Sequence, residues 1–311
     1  MTRPTRGLYV IGGTSPAVVA ARRPGGLLTC ASAAGWIGLP LLTPPAVHLA
    51  LPGHAAAPRA GLPRGSVLHW ESGLCASSAE RGILAPLPIA LAHALRCLPP
   101  REAITIVDAA VNRRLIALED LAAQRPRAGK AEFDRLLRAV DGRSQSLPET
   151  FARLALRSSG LWAEPQVQIV GVGWVDLLVE DLVVVELDGF ASPGDRTQCR
   201  EDRRRDRALQ LIGVPVLRFT YEDTVREVAR LVGEVDSLVG ELRRAGRRSI
   251  AVGVWRPTPV AVPEPGRSIG ERVSRPATGD EHGGPGPPAL AGRWAGPPTM
   301  TSCPSPARPS T

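Results

Sequence analysis

The sequence is poor in several features that would narrow its class. Aromatic residues make up 4% of the 311 residues, and Lys130 is the only lysine among 38 basic residues. No apolar run reaches the roughly 18–20 residues that a membrane-spanning helix needs. Pro16 interrupts the mildly apolar stretch near the start, which argues against a signal peptide. We therefore expect a cytoplasmic protein with no membrane partner.

The five cysteines show neither a disulfide framework nor a paired metal-ligand spacing. Their number is odd, and they lie far apart in the sequence. We therefore expect them to be the reduced thiols of a cytosolic protein. They are Cys30, Cys75, Cys97, Cys199 and Cys303.

Two histidines fall in predicted strands that a loop rich in Gly, Pro and Ala connects. The strands are Ala46–Leu51, with His48, and Ser66–Trp70, with His69. This connection predicts a hairpin with a long tip. Two facing histidines could begin a metal site, but the sequence shows no third ligand of a suitable type near them. We therefore expect ordinary cross-strand histidines.

The charge balance is basic. The formal net charge is +8, and arginine supplies nearly all of the positive charge. A basic balance favours polyanionic partners such as DNA. A bias in coding composition would produce the same use of arginine for lysine, so the charge alone leaves both explanations open.

The pattern of elements divides the chain into two folded domains and a tail, and places it in the α/β class. Residues 1–145 predict a smaller α+β domain, in which Asp108 lies on the surface of a helix over Arg101–Arg114. Residues 146–245 predict an α/β core in the order helix, strand, hairpin, helix, strand, helix. Residues 256–311, rich in Pro, Gly, Ser and Arg without periodicity, predict a disordered tail.

An acidic hairpin lies at the centre of the second domain. Two apolar segments within Val175–Asp188 flank a turn at Glu180 and Asp181. Glu186 and Asp188 are two residues apart in one strand and share a face, and Asp176 can reach them from the other strand.

Carboxylates at the end of an apolar strand are costly to bury unless they are paired or bound to a metal. Hard oxygen ligands suit Mg²⁺, which would activate water for phosphodiester hydrolysis. The hairpin therefore predicts a Mg²⁺ site with Asp176 and Glu186 as ligands and Asp188 beside them.

Two helices flank the hairpin in sequence. Ser146 and Glu149 match a capping box at the start of the first, and capping alone accounts for this glutamate. The second, over Cys199–Ile212, begins with the residues CREDRRRDR. Its arginines either contact phosphates beside the metal site or form a solvated face with acidic neighbours four residues away. The candidates for nucleic-acid binding are Arg200, Arg203, Arg204 and Arg207.

Four motifs in this domain occur in a fairly specific order. They are GWVD at 173–176, VELDG at 185–189, EDRRRD at 201–206 and VLRFT at 216–220. With these motifs, residues 149–235 resemble the Vsr-like (very-short-patch-repair-like) endonuclease domains of the PD-(D/E)xK superfamily.

This resemblance implies a restriction-endonuclease-like fold, a mixed central sheet flanked by helices. It also implies DNA as the substrate and Glu149, Asp176 and Glu186 as the acidic core. Asp188 stands where the superfamily has its lysine. Residues 146–245 contain no lysine and no histidine, so the usual proton-handling groups are missing. Two hypotheses follow: a Mg²⁺-dependent DNA endonuclease, weakened or inactive, or a non-catalytic regulatory or DNA-binding protein that keeps the scaffold.

Residues 7–145 carry a looser resemblance, through GLLTCAS at 26–32, WIGL at 36–39, the His48 strand and VDAAV at 107–111. This region is similar to the middle portion of AbiEi-type antitoxins of type IV toxin–antitoxin systems. Those proteins begin with a winged helix-turn-helix, which six residues before Gly7 are too few to form. The resemblance implies a toxin–antitoxin partner protein, and we expect the DNA-reading winged helix to be lacking.

Overall fold

The computed structural model describes most of the chain up to residue 259. The described residues are 2–5, 8–11, 13–57, 61–72, 74, 82–188, 196–247, 249–250 and 253–259, with the side chains of 2–5, 8, 188 and 196–202 excepted. All of them belong to a unit that spans Met1–Gly266.

The described residues form ten strands and ten helices. In chain order they are β1 (Thr2–Thr5), β2 (Leu8–Val10), α1 (Pro16–Arg22), β3 (Leu27–Leu28), α2 (Cys30–Trp36), β4 (His48–Pro52), β5 (Val67–Glu71), α3 (Leu87–Cys97), α4 (Pro100–Asn112), α5 (Leu118–Ala122), α6 (Lys130–Ala139), α7 (Leu147–Ser158), β6 (Ala163–Ile169), β7 (Gly173–Val179), β8 (Val183–Asp188), α8 (Arg196–Leu211), β9 (Val216–Thr220), α9 (Tyr221–Val225), α10 (Val228–Arg244) and β10 (Val254–Trp255).

Two mixed sheets with flanking helices confirm the predicted α/β class. The larger sheet has the order β10-β6-β7-β8-β9, and the smaller has the order β3-β4-β5. Pairing is parallel between β8 and β9 and between β4 and β5, and antiparallel between the other neighbours. A separate antiparallel pair joins β1 and β2. Within the described part of the chain, no helix is both long and apolar enough to cross a membrane.

Helices cover both faces of the larger sheet. Leu156 of α7 and Leu231 of α10 pack on one face, and Leu209 of α8 packs on the other. The first half of strand β8 is apolar on both sides, and Val183, Val184 and Val185 are fully buried. Covering both faces explains why this strand is a continuous apolar run instead of an alternating one.

The predicted acidic hairpin is confirmed. Strands β7 and β8 pair antiparallel around a turn in which Glu180 has φ of 54° and Asp181 has φ of 57°. Two successive left-handed residues match the twist of the flanking strands, although this conformation normally favours glycine or asparagine. Long-range contacts hold it: the Trp162 backbone N–H donates to Glu180 Oε1 at 2.6 Å, and the Ile250 N–H donates to the Asp181 carbonyl at 2.8 Å.

The predicted hairpin between the two histidine strands is wrong. Strands β4 and β5 pair parallel, with Ala50 opposite His69. Parallel neighbours require a crossover of about a dozen residues or more. The Gly/Pro-rich connection between Pro52 and Val67 is long enough to bring the chain back to the end of the sheet at which β4 begins.

The predicted surface position of Asp108 is also wrong, because this residue is 1% exposed. Its carboxylate accepts hydrogen bonds from Arg153 Nη2 at 2.6 Å, Thr150 Oγ1 at 2.7 Å and the Asp141 N–H at 2.8 Å. Arg153 is itself fully buried and donates to the Ala139 carbonyl at 2.9 Å. The ion pair therefore joins α4 to α7 inside the protein.

Two predicted boundaries change. The single helix expected over Glu222–Leu242 is two helices, α9 and α10, because Glu227 has φ of −117° and ψ of 30°, which is not helical. The tail expected from residue 256 is ordered at its start: Arg256 donates to Glu164 Oε2 at 2.6 Å, and the Pro257 carbonyl accepts from Arg143 at 3.0 Å. Residues 260–311 lie outside the described residues. The division between 1–145 and 146–245 stays a prediction.

Breaking the buried pair should destabilise the protein strongly. We expect Arg153→Met to lower the free energy of unfolding by about 3–5 kcal/mol, because it leaves the Asp108 carboxylate buried without its countercharge. Urea denaturation followed by circular dichroism measures this loss. Arg135→Met, which removes an exposed pair with Glu132, is the matched control and should change stability little. An equally small effect of both substitutions would contradict the role assigned to Asp108.

Candidate functional site

The strand register brings two of the predicted acidic residues together. The pairing of β7 with β8 ends at Leu177 and Val185, so Asp176 and Glu186 are the next residues on the two strands. On the other side of β7, the pairs on either side of Gln166 place this residue opposite Asp176. Gln166, Asp176 and Glu186 therefore lie side by side across three strands, and we call them the polar row.

Asp176 interrupts the backbone ladder between its two strands. The carboxylate, which is partly buried, accepts the Leu187 N–H through Oδ2 at 2.8 Å. The apolar residues around Asp176 also change sides, since Val175 packs with the α8 face whereas Leu177 packs with the α7 face. The hairpin is thus distorted at the position where the acidic side chain sits.

Glu149 reaches the polar row from α7. It lies in the first turn of this helix and is 5% exposed. The Glu149 N–H donates to Ser146 Oγ at 3.3 Å, which confirms Ser146 as the N-cap. Glu149 Oε1 accepts from the same hydroxyl at 2.8 Å. Oε2 accepts from the Gln145 N–H at 2.9 Å and from Gln166 Nε2 at 3.0 Å. Gln166 has φ of 52°, a left-handed conformation that is uncommon for a non-glycine residue in a strand.

The charge of Asp176 acts on Glu149. Burial raises the pKa of Glu149, and the negative charge of Asp176 raises it further, whereas the hydrogen bonds from Gln145, Gln166 and Ser146 oppose the rise. Glu149 also bonds to Gln166, the β6 neighbour of Asp176, so the two carboxylates lie near each other. Their role as an acidic core stays a prediction. The capping role of Glu149 is compatible with this position.

Glu186 is paired with an arginine that the sequence analysis did not select. Arg205 of α8 donates from Nη2 to Glu186 Oε1 at 3.0 Å and also donates to the Trp174 carbonyl. The Glu186 side chain is 14% exposed and the Arg205 side chain 27%. Among the described residues, Arg205 Nε is buried without a hydrogen-bond partner. The four-residue spacing of charges in the sequence predicted ion pairs within α8. The Arg205–Glu186 pair instead joins the helix to the sheet.

The arginines predicted to bind nucleic acid lie on α8, and their described side chains have different surroundings. Arg203 and Arg207 are exposed. Arg204 is exposed as well, but its guanidinium also donates to two carbonyls of the β6–β7 turn, those of Gly171 at 3.3 Å and Val172 at 3.1 Å.

Two further predicted site residues have only their backbone described. Asp188 lies in β8 and Arg200 lies in α8, but the side chains of both fall outside the described residues. Their roles beside the polar row stay predictions.

A second candidate site was missed by the sequence analysis. Among the described side chains, one group of His, Cys, Asp or Glu ligands has all of its donor atoms within 4.8 Å of one another: Cys30, His48, His69 and Cys97. We call this group the thiol–imidazole cluster. The expectation that no third ligand lies near the two histidines is therefore wrong. The carboxylates of the polar row do not form such a group among the described side chains, so Mg²⁺ binding there stays a prediction.

The cluster lies beside a stack of three imidazole rings. His69 is stacked between His48, at 5.7 Å between ring centroids, and His93, at 4.4 Å. His93 Nδ1 is 2.8 Å from Thr29 Oγ1. Thr29 is the residue before α2, but its hydroxyl accepts no hydrogen bond from the backbone of this helix. Burial lowers the pKa of all three histidines, to about 3 for His69 and about 4 for His93. The rings are therefore neutral at neutral pH.

Cys30 is held in an uncommon backbone conformation. It is fully buried at the first position of α2, with φ of 51°. Such a conformation costs a non-glycine residue about 1–3 kcal/mol and is often found at functional sites. Burial, together with the nearby Cys97, raises the pKa of the Cys30 thiol. The two cysteines are far apart in the sequence, so spacing alone did not predict their proximity. The parallel pairing of β4 and β5 places the two histidines next to each other and near the cysteines.

Comparisons with known proteins identify relatives but no activity. No family model matches the chain, and no solved structure matches it. Two curated proteins of Mycobacterium tuberculosis are each 29% identical over 212 residues, which is 65% of this chain and 76% of each relative. They are the "Uncharacterized protein MT2308" of strain CDC 1551 / Oshkosh and the "Uncharacterized protein Rv2248" of strain ATCC 25618 / H37Rv.

Removing the charge of Asp176 should change the pKa of Glu149. We expect Asp176→Asn to lower the pKa of Glu149, because it removes the neighbouring negative charge that raises this pKa. A carbon-13 NMR titration of the Glu149 carboxyl measures the change. Glu132→Gln, at an exposed position on α6, is the matched control and should leave the Glu149 titration unaltered. An unchanged pKa in Asp176→Asn would show that the two carboxylates are not neighbours.

Proposed function

We propose that the polar row and α7 form the catalytic centre of a cytoplasmic, Mg²⁺-dependent DNA endonuclease. The observation that carries this proposal is the position of the Asp176 carboxylate, which accepts the N–H of Leu187, the residue after Glu186, and raises the pKa of Glu149. In this proposal Asp176 and Glu186 hold the metal ion, and Asp188 adds a further carboxylate at the end of β8.

The donor chemistry of the row fits a hard divalent cation. Carboxylate oxygens are the ligands that Mg²⁺ takes in phosphoryl-transfer sites, usually one or two of them together with water and phosphate oxygens. A bound Mg²⁺ supplies a water molecule of lowered pKa and stabilises negative charge on the phosphate. Asp176 is already fixed by the Leu187 N–H, so its orientation does not depend on a ligand.

Glu149 fits a positioning role at this centre. Its two oxygens accept three hydrogen bonds from Ser146, Gln145 and Gln166. These bonds tie the start of α7 to β6 next to Asp176. Glu149 therefore fixes the distance between the helix and the metal-binding strand.

DNA would approach along α8. Arg203 and Arg207 are exposed on this helix, whereas Arg205 on the same helix reaches Glu186. Exposed guanidinium groups bind phosphate oxygens and fix the register of a duplex without reading its sequence. Arg200, in the first half of α8, is a further candidate for this role.

One observation favours a second candidate function. Arg205 neutralises Glu186, and residues 146–245 contain no lysine or histidine for proton transfer. A guanidinium on the carboxylate competes with a metal ion for the same oxygens. The alternative is a non-catalytic protein of toxin–antitoxin type, which uses the scaffold to bind DNA or a partner protein.

The endonuclease proposal predicts metal-dependent nicking of a supercoiled plasmid. We expect nicking with Mg²⁺ or Mn²⁺ and a loss of about a hundredfold or more in Asp176→Asn and in Glu186→Gln, because each removes a metal ligand. Titration calorimetry on the same samples should show that Asp176→Asn abolishes metal binding. Glu132→Gln is the matched control and should retain both. Clean wild-type protein that neither binds these ions nor nicks DNA would exclude the endonuclease.

The two candidates also differ in DNA binding. We expect Arg203→Gln with Arg207→Gln to weaken binding and to lower the slope of log affinity against log salt by about 2, because each arginine that binds a phosphate contributes about 1 to this slope. Fluorescence anisotropy at several salt concentrations measures the slope, and Arg135→Gln on α6 serves as the control. Under the second candidate, binding survives Asp176→Asn and Glu186→Gln without any nicking by the wild type.

A further inference from the structure

Two donor–donor distances in the thiol–imidazole cluster are close to those of a tetrahedral zinc site. Zinc bonds of about 2.0–2.1 Å to nitrogen and about 2.3 Å to sulfur place two nitrogen ligands about 3.4 Å apart and a nitrogen and a sulfur about 3.6 Å apart. His48 Nδ1 and His69 Nε2 are 3.4 Å apart, and Cys97 Sγ and His48 Nδ1 are 3.8 Å apart. All four donor atoms lie within 4.8 Å of one another.

Four separate elements supply the four donors. Cys30 comes from the start of α2, His48 from β4, His69 from β5 and Cys97 from the end of α3. Cys30 and His48 are buried, whereas Cys97 is exposed. A ligand bound here would connect both neighbouring strands of the smaller sheet to the two helices beside it.

The donor types select the class of metal. Two thiols and two imidazoles suit Zn²⁺, whereas Mg²⁺ and Ca²⁺ require oxygen donors. Four protein ligands fill a tetrahedral coordination sphere, which is the arrangement of structural zinc and not of catalytic zinc. The cluster is therefore distinct in chemistry from the carboxylates of the polar row.

The surrounding packing gives such a metal a structural role. The apolar clusters around the smaller sheet consist mainly of alanine and leucine; one contains Ala21, Leu28 and Leu49, and another Cys30, Ala31 and Ala94. Small cores of this kind bury little apolar surface, and small folds commonly compensate with a metal.

Neighbouring side chains already fix the donors. The His48 N–H donates to Ser32 Oγ at 2.9 Å, which holds β4 against α2. His93 stacks on the His69 ring and is fixed through Thr29. Supporting contacts of this kind orient metal ligands and contribute to their affinity. His93 is accordingly a positioning residue and not a ligand.

We propose that Cys30, His48, His69 and Cys97 bind one Zn²⁺ that stabilises the smaller sheet and its two helices. Both cysteines bind as thiolates and release their protons to solvent, and both histidines bind through neutral nitrogen. This proposal is independent of the nuclease function.

The test is the metal content of the full chain, purified without a histidine tag or chelator and under reducing conditions. We expect about one Zn²⁺ per chain by mass spectrometry, and less than about a tenth of that in Cys97→Ser and His69→Asn, because loss of a ligand costs more than the 10–100-fold that outer contacts cost. Cobalt loaded in place of zinc should give the visible bands of tetrahedral cobalt and the near-ultraviolet band of thiolate coordination. Cys97 is exposed, so Cys97→Ser tests the site without opening the core.

Two substitutions outside the cluster are matched controls. His54→Asn changes an exposed histidine, and Cys303→Ser changes a cysteine far away in the sequence; both should retain the metal of the wild type. Wild-type protein that neither contains nor takes up Zn²⁺ or Co²⁺ would overturn the proposal. Full zinc content in Cys97→Ser, a different metal in the cluster, or a Cys30–Cys97 disulfide in freshly purified protein would do the same.

Discussion

The buried ion pair between Asp108 and Arg153 is the interaction on which the arrangement of the structure depends. Both side chains are almost fully buried. The carboxylate accepts three hydrogen bonds, two from side chains of α7 and one from the backbone of Asp141. A charge in this position is tolerated only with its partner in place. The pair therefore fixes α7 against α4, and α7 in turn covers the larger sheet and carries Glu149.

The polar row shows how an apolar sheet accommodates acidic side chains. The two carboxylates of the row and the adjoining Glu149 each have a defined neighbour. Asp176 accepts the Leu187 N–H, Glu186 pairs with Arg205, and Glu149 accepts a hydrogen bond from Gln166. The backbone departs from regular strand geometry at the same place, with a left-handed Gln166. Departures of this kind need support from the surroundings and are common at functional sites.

The features that the sequence predicted correctly are mostly those that depend on residues close together in the chain. The Ser146 cap of α7 and the acidic hairpin of β7 and β8 depend on residues close together in the chain, and both are confirmed. The reciprocal half of the capping box differs, because Glu149 accepts the Gln145 N–H and not the Ser146 N–H. The burial of Asp108 and the parallel pairing of β4 with β5 depend on distant segments. The thiol–imidazole cluster depends on that pairing, and Arg205 depends on how α8 lies on the sheet, so neither could be found from spacing alone.

Anomalous X-ray diffraction from crystals of the full chain soaked in Mn²⁺ tests the proposed catalytic centre most directly. Mn²⁺ takes the same oxygen ligands as Mg²⁺ and is located by its anomalous signal. The account predicts a peak between the carboxylates of Asp176 and Glu186, with Arg205 moved away from Glu186. A crystal that shows no peak there, with Arg205 still bound to Glu186 at saturating Mn²⁺, would contradict it.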